Sequence, residues 1–160
     1  MKKIKLNFKI PEIIILSIIV FALIISLICF FLQDRGHKRV FIFESMDKAG
    51  LFIETRYLIP FESNQSIETD ILQYSEDLLL GPKTHRFKPL FSSKTVVDSL
   101  FLRDDILYVN ISKEALHPEK TTSTIEVGVD LFKKNILRNF PQVKQVDFFI
   151  NSIHTYEQIQ

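Results

Sequence analysis

Residues 123–150 read STIEVGVDLFKKNILRNFPQVKQVDFFI. Ile125, Val129, Phe132, Ile136 and Phe140 recur at the three-to-four-residue spacing of a helix with one buried face, and Pro141 ends the run. Ser123 and Glu126 precede it at the spacing of a capping box, in which each side chain meets the other residue's backbone N–H. After Pro141 the period changes. Val146, Phe148 and Ile150 alternate with Asp147, as in a strand with one face buried, and Asn151-Ser152 marks a turn before a short last strand.

The same switch of period organises the chain upstream. Val96 to Arg103 and Ile106 to Ile111 read as a hairpin around Asp104-Asp105, where both residues need backbone angles that Asp tolerates better than most non-glycine residues. Ser66 caps a predicted helix whose stripe is Ile67, Ile71, Tyr74 and Leu78, broadened by Leu72 and Leu79, with Glu68, Asp70, Glu76 and Asp77 facing out. Gly81-Pro82 stops that helix. Val40 to Phe43 and Leu51 to Ile59 read as strands joined by a turn at Met46 to Gly50. In the second of them Leu51, Ile53, Tyr57 and Ile59 alternate with Glu54 and Arg56. The order is ββαββαβ. Because each helix carries a single apolar stripe, the reading is an α+β two-layer sandwich: one mixed sheet with both helices on one face.

Ahead of this unit lies a different kind of segment. Ile13 to Leu32 is IIILSIIVFALIISLICFFL, uncharged throughout, and as a helix rising about 1.5 Å per residue it spans roughly the 30 Å of a bilayer's hydrocarbon. Hydrocarbon admits only helix or closed barrel, so its β-branched richness does not argue for a strand. Lys2, Lys3, Lys5 and Lys9 precede the span and keep the short tail, residues 1–12, in the cytoplasm, so that the C-terminal part lies outside. A cleaved signal peptide is the rival reading, opposed by the length of the run and by bulky Phe30, Phe31 and Leu32 after it. Ser26-Leu27-Ile28-Cys29 sketches a lipoprotein cleavage site, with Ile28 at odds with the small residue such a site takes. The expected organisation is a basic tail at 1–12, a single-pass anchor at 13–32, a connector at 33–38 and an extracytoplasmic domain at 39–160. A six-residue connector reaches at most about 20 Å, which holds the domain near the membrane.

Composition narrows the chemistry. The four glycines, Gly36, Gly50, Gly81 and Gly128, lie too far apart for a dinucleotide fingerprint, a phosphate loop or a nucleophile elbow. Cys29 is the only cysteine, which excludes an internal disulfide. A net charge of +1 with interspersed signs gives no footprint for nucleic acid. His37, His85, His117 and His154 share no metal-ligand spacing, Asp104 and Asp105 read as turn residues, and Glu126 reads as half of the capping box. No cofactor and no metal are expected, and no catalytic residue is assigned.

An ordered set of landmarks carries a family resemblance. Leu58-Ile59-Pro60, a helix ending Leu78-Leu79-Leu80-Gly81-Pro82, Lys94-Thr95 opening a strand, and Asp104-Asp105 leading to Tyr108-Val109-Asn110-Ile111-Ser112 come first. Asn139-Phe140-Pro141-Gln142-Val143-Lys144-Gln145-Val146 completes it. Over about residues 40 to 152 this resembles the GerMN domain of sporulation and spore-germination proteins. Asp105 stands where that family usually has Gly, Asn110 where it has Asp, and Phe91-Ser92-Ser93 where it has Pro-Gly before Thr. The resemblance implies an extracytoplasmic domain tethered to a bacterial membrane, a fold similar to ring-building modules of envelope assemblies, and no established enzymatic activity.

Three functions follow, in order of preference. The first is a non-catalytic, membrane-anchored assembly or interaction module of the bacterial envelope, pairing with itself or with another envelope protein through an unpaired sheet edge. The second is a receptor for a wall glycan or an anionic lipid headgroup through the acid-free stretch that holds Lys83, His85, Arg86, Lys88 and Lys94, with Phe87 and Phe91 as buried loop anchors. An envelope hydrolase is third, for want of a nucleophile motif or acid pair.

Overall fold

A computed structural model describes residues 10–32, 36–47, 50–60 and 65–155. The basic residues at 2–9, the first half of the connector, and Lys48 and Ala49 of the first turn lie outside the described residues. The elements are α1 (Ile10–Leu32), β1 (His37–Ser45), β2 (Leu51–Leu58), α2 (Ile67–Leu79), β3 (Phe87–Lys88) and β4 (Val97–Arg103). They continue with β5 (Ile106–Ile111), a 3-10 turn (Lys113–Leu116), α3 (Ile125–Asn139), β6 (Gln145–Ile150) and β7 (Ile153–His154). Contacts divide the chain into residues 1–35 and 36–160. In the first unit Ile13–Phe31 is long and apolar enough to cross a membrane, with mean hydropathy 3.3 and no part of it buried.

In the second unit the local signals act as their chemistry predicts. Ser66 Oγ accepts the N–H of Thr69 and starts α2, while Gly81, at φ +86°, takes the left-handed position that ends it. Asp104 and Asp105 both sit at positive φ, 50° and 66°, which joins β4 to β5 by a two-residue turn. Asn151 and Ser152 do the same between β6 and β7.

The start of α3 differs from the sequence reading by one residue. Thr124, not Ser123, is the N-cap, its hydroxyl accepting the N–H of Val127. Ser123 instead donates to the carboxylate of Glu44 at 2.9 Å, and its backbone N–H is taken by Pro89. Glu126 is therefore one place early for a capping box and stands exposed. Thr124→Ala is expected to cost about 1 kcal/mol through the lost cap, and Glu126→Ala to stay within about 0.5 kcal/mol. Chemical denaturation of the two variants side by side checks the assignment.

The strands divide between two sheets where the sequence reading has one. The first, β2-β1-β3, is antiparallel. The second, β4-β5-β6-β7, is mixed, with β5 and β6 parallel. Polar side chains bond to strand backbone in both sheets. The part of β1 that β3 leaves unpaired is occupied by the amides of Asn135 and Asn139, which bond to the backbone of Ile42 and Val40. On β4, the N–H of Leu102 is taken by Glu68 of α2. As expected, both helices cover one face of the mixed sheet, α2 against β4 and α3 against β6, and α3 also reaches β1. Phe41, Phe43, Tyr74, Phe132, Phe140 and Phe148 dominate one apolar cluster shared by both sheets and both helices. Gly128 lets α3 approach the 90–91 segment: a Cβ there would lie 2.6 Å from the Leu90 carbonyl oxygen. That close approach seats Phe91 in the core, stacked near Phe148.

Candidate functional site

The first sheet is supported from within by two buried polar systems. Asn135, fully buried in the stripe of α3, accepts the N–H of Ile42 and donates to its carbonyl, at 2.8 and 2.9 Å. Asn139, one turn on, makes the same pair of bonds to Val40. Two side-chain amides thus stand in for a neighbouring strand. The Tyr74 hydroxyl lies 2.7 Å from the Val40 carbonyl and 2.9 Å from Asn135 Oδ1, and it accepts from Asn139 at 3.0 Å. Burial pushes its pKa far up, so it remains neutral. Arg39 bonds to the Asn139 carbonyl and to Asp70, with its guanidinium over the Phe140 ring. Asp70 is thus paired rather than facing out.

The second system is Arg56, which is only 6% exposed. Its guanidinium meets Glu54 and Asp77, each at 2.8 Å, and the Gly81 carbonyl, and it lies 4.4 Å above the Phe41 ring. Burial opposes the positive charge on Arg56, but the bonds from Glu54 and Asp77 outweigh it and raise the pKa. Burial likewise pushes Glu54 up, and the bonds from Arg56 and the Lys83 N–H bring it below its ordinary value. Asp77, expected to face solvent, is the second carboxylate of this cluster.

Burying Arg56 turns β2 the other way from what its alternation invites. Leu51, Ile53, Tyr57 and Ile59 are 53%, 52%, 63% and 62% exposed, while Glu54 and Arg56 point inward. The strand is also an edge strand, since β1 is its only neighbour among the described residues. Its outer residues are open in the backbone too. In an antiparallel pair, opposite residues both turn their N–H and C=O groups toward each other or both away. Val40 and Ile42 turn theirs to Asn139 and Asn135, so their partners across the ladder, Thr55 and Ile53, present theirs to the open edge.

The basic stretch is less of a unit than the sequence implies. Lys83, Arg86 and Lys94 are exposed, but Lys88 is half-buried and bonds to Glu44 at 2.9 Å. That bond, with the one from Ser123 and against the cost of burial, holds the Glu44 carboxyl below its ordinary value. Phe91 is buried as expected, whereas Phe87 is only partly buried, lies in β3 and stacks on Phe52 at 3.8 Å. Phe101 is half exposed and stacks on Tyr108. These two rings, with Ser99, Asn110, Phe149 and Ser152, line a shallow uncharged cavity of about 250 Å³ on the helix-free face of the second sheet. Asp105 bonds to Lys144 in solvent. Among the described residues no group of three or more His, Cys, Asp or Glu could hold a metal ion.

Comparison with known proteins places this arrangement. The sequence profile of the Germane family, described as sporulation and spore germination, matches residues 41–153. The first GerMN domain of the sporulation protein GerM from Bacillus subtilis aligns over 78% of this chain and 90% of its own, with TM-score 0.57 and 16% identity. The tandem GerMN domains of the same protein align over 76% and 42%, with TM-score 0.56 and 18% identity. At that identity the likeness is one of fold. An uncharacterized lipoprotein of Treponema pallidum (strain Nichols) is 28% identical over 81 residues, which are 51% of this chain and 60% of that protein.

Proposed function

The chain belongs to the Germane family of sporulation and spore germination, and from that premise we propose that it is a membrane-anchored, non-catalytic interaction module of the bacterial envelope. Its contact surface is the outer face and open edge of β2. The observation that carries this is the outward apolar row Leu51, Ile53, Tyr57 and Ile59, beside an arginine that the fold buries instead. Native proteins usually blunt an edge strand with charge, proline or a bulge. This one presents Leu51, Ile53 and Tyr57, with Ile59 just past its end, and a continuous register with β1 from His37 to Glu44.

The same reading assigns residues 1–12 to the cytoplasm, Ile13–Leu32 to a single span, 33–38 to a connector, and 39–160 to a domain outside the membrane. β1 already begins at His37, which leaves still less slack between anchor and domain. Tethering supplies the effective concentration at which weak contacts become useful. A lipoprotein anchor at Cys29, in keeping with the lipoprotein relative, would hold the domain at the same surface.

A second reading, recognition of a wall polymer or anionic headgroup, draws on the exposed cations Lys83, Arg86 and Lys94; Lys88 is neutralised by Glu44. One experiment separates the two. A photocrosslinking residue at Ile53 or Tyr57 of the full chain, irradiated in native membranes, should yield a defined protein adduct, whereas the same residue at Glu76 or Asp98 should yield none. Equal labelling from all positions, or adducts only with wall polymer from Lys83 and Arg86, overturns the proposal.

A further inference from the structure

We infer that the partner on the β2 edge is a second copy of this chain, joined by antiparallel pairing of β2 with β2 about a two-fold axis through Thr55. The inference rests on the reading of β2 as the contact surface and deepens it. The row of outward residues is symmetric about its centre. Leu51, Ile53, Thr55, Tyr57 and Ile59 read large, large, small, large, large in both directions. Antiparallel pairing centred on Thr55 therefore sets Ile53 against Tyr57 of the partner, with the two Thr55 residues face to face, and brings Leu51 beside Ile59, which lies just past the end of β2 with its carbonyl held by Gln73. An aromatic residue beside a β-branched one is a favourable cross-strand pair.

The backbone agrees with this register. Ile53 and Thr55 carry the outward N–H and C=O groups, and the alternation extends to Leu51 and Tyr57. The groups that would form the ladder thus belong to the residues whose side chains would pair. Neither charge on the strand interferes, because Glu54 and Arg56 point inward and neutralise each other. Asn135 and Asn139 fill the stretch of β1 that β3 leaves open, and Glu68 takes an edge N–H of β4. A two-fold contact of this kind is self-complementary and closes at two copies.

Cysteine pairing tests both partner and register in the full chain in native membranes, with the unsubstituted chain, whose only thiol is Cys29, as baseline. Opposite residues of a hydrogen-bonded antiparallel pair lie about 5.5 Å apart at Cα, within disulfide reach. Mild oxidation of Thr55→Cys should raise the disulfide-linked dimer at least roughly tenfold over the baseline, given the effective concentration that tethering provides. Ile53→Cys and Tyr57→Cys should each remain at baseline when alone and link when co-expressed, because each position meets the other and not itself.

Baseline linkage of Thr55→Cys, or Ile53→Cys linking by itself as well as in the mixture, overturns self-pairing centred on Thr55. If such a failure accompanies a photoadduct from Ile53 to a different protein, the contact surface stands and the second copy is excluded. If no adduct forms from Ile53 at all, the reading of β2 as a contact surface falls with it.

Discussion

Replacing Arg56 by alanine is expected to lower the unfolding free energy by about 3 to 5 kcal/mol, the range for breaking a buried ion pair by removing one partner. The guanidinium bonds to Glu54, Asp77 and the Gly81 carbonyl while lying over Phe41. Its loss leaves two carboxylates beside the apolar cluster without their cation. Arg56→Lys should fall between, since an ammonium keeps the charge but lacks the planar fork whose three nitrogens reach Glu54, Asp77 and the Gly81 carbonyl. The same cluster gives stability a direction in pH. Glu54 has a lower pKa folded than its ordinary 4.5, so its contribution is present above that value and fades as pH falls through the folded pKa. Glu44 adds in the same sense. Denaturation of the detergent-solubilised chain should show the Arg56→Ala loss at neutral pH and a smaller difference as pH falls below 4.5 and through the lowered folded pKa of Glu54. A difference independent of pH would mean that ring contact, not charge, holds Arg56.

Asn135→Leu, a change of similar size, is expected to cost about 3 kcal/mol or more. It strips the partners from the N–H and carbonyl of Ile42, and each buried polar group left unsatisfied costs about 1 to 3 kcal/mol. It also removes one of the groups around the Tyr74 hydroxyl. Asn139→Leu should cost less, because its bonds to Val40 lie in a half-buried setting where water supplies a substitute. Equal losses at the two positions, read from denaturation midpoints, would contradict the account of Asn135 as the buried closure of the β1 edge.

These two residues mark where sequence reading ends. The stripe of α3, the Asp104-Asp105 turn and the Gly81 stop are legible because each is decided by neighbours within a few residues. In β2 the alternation shows which residues share a face, but not which face is buried. That choice is made by Asp77 in the last turn of α2, by Gly81 just past it and by the rings of Phe41 and Phe43 on β1, and the apolar row is left in solvent. Asn135 and Asn139 have a visible spacing, four apart on an apolar stripe, yet their meaning depends on β1, more than ninety residues away in the chain. Lys88 looked free in the sequence for a like reason: its carboxylate, Glu44, lies on β1. The Ser123 hydroxyl was drawn from its cap to that carboxylate, which moved the helix start to Thr124.

Hydrogen–deuterium exchange over residues 51–58 tests the central claim most directly. The N–H groups of Ile53 and Thr55 face the open edge, so in the detergent-isolated, diluted chain they should exchange quickly while those of Phe52 and Glu54, turned to β1, exchange slowly. In native membranes the outer set should become slow as well, with no change along β5, which is an inner strand. Protection of residues 51–58 that is the same in membranes and in dilute detergent would show that nothing covers this edge, and would contradict the account.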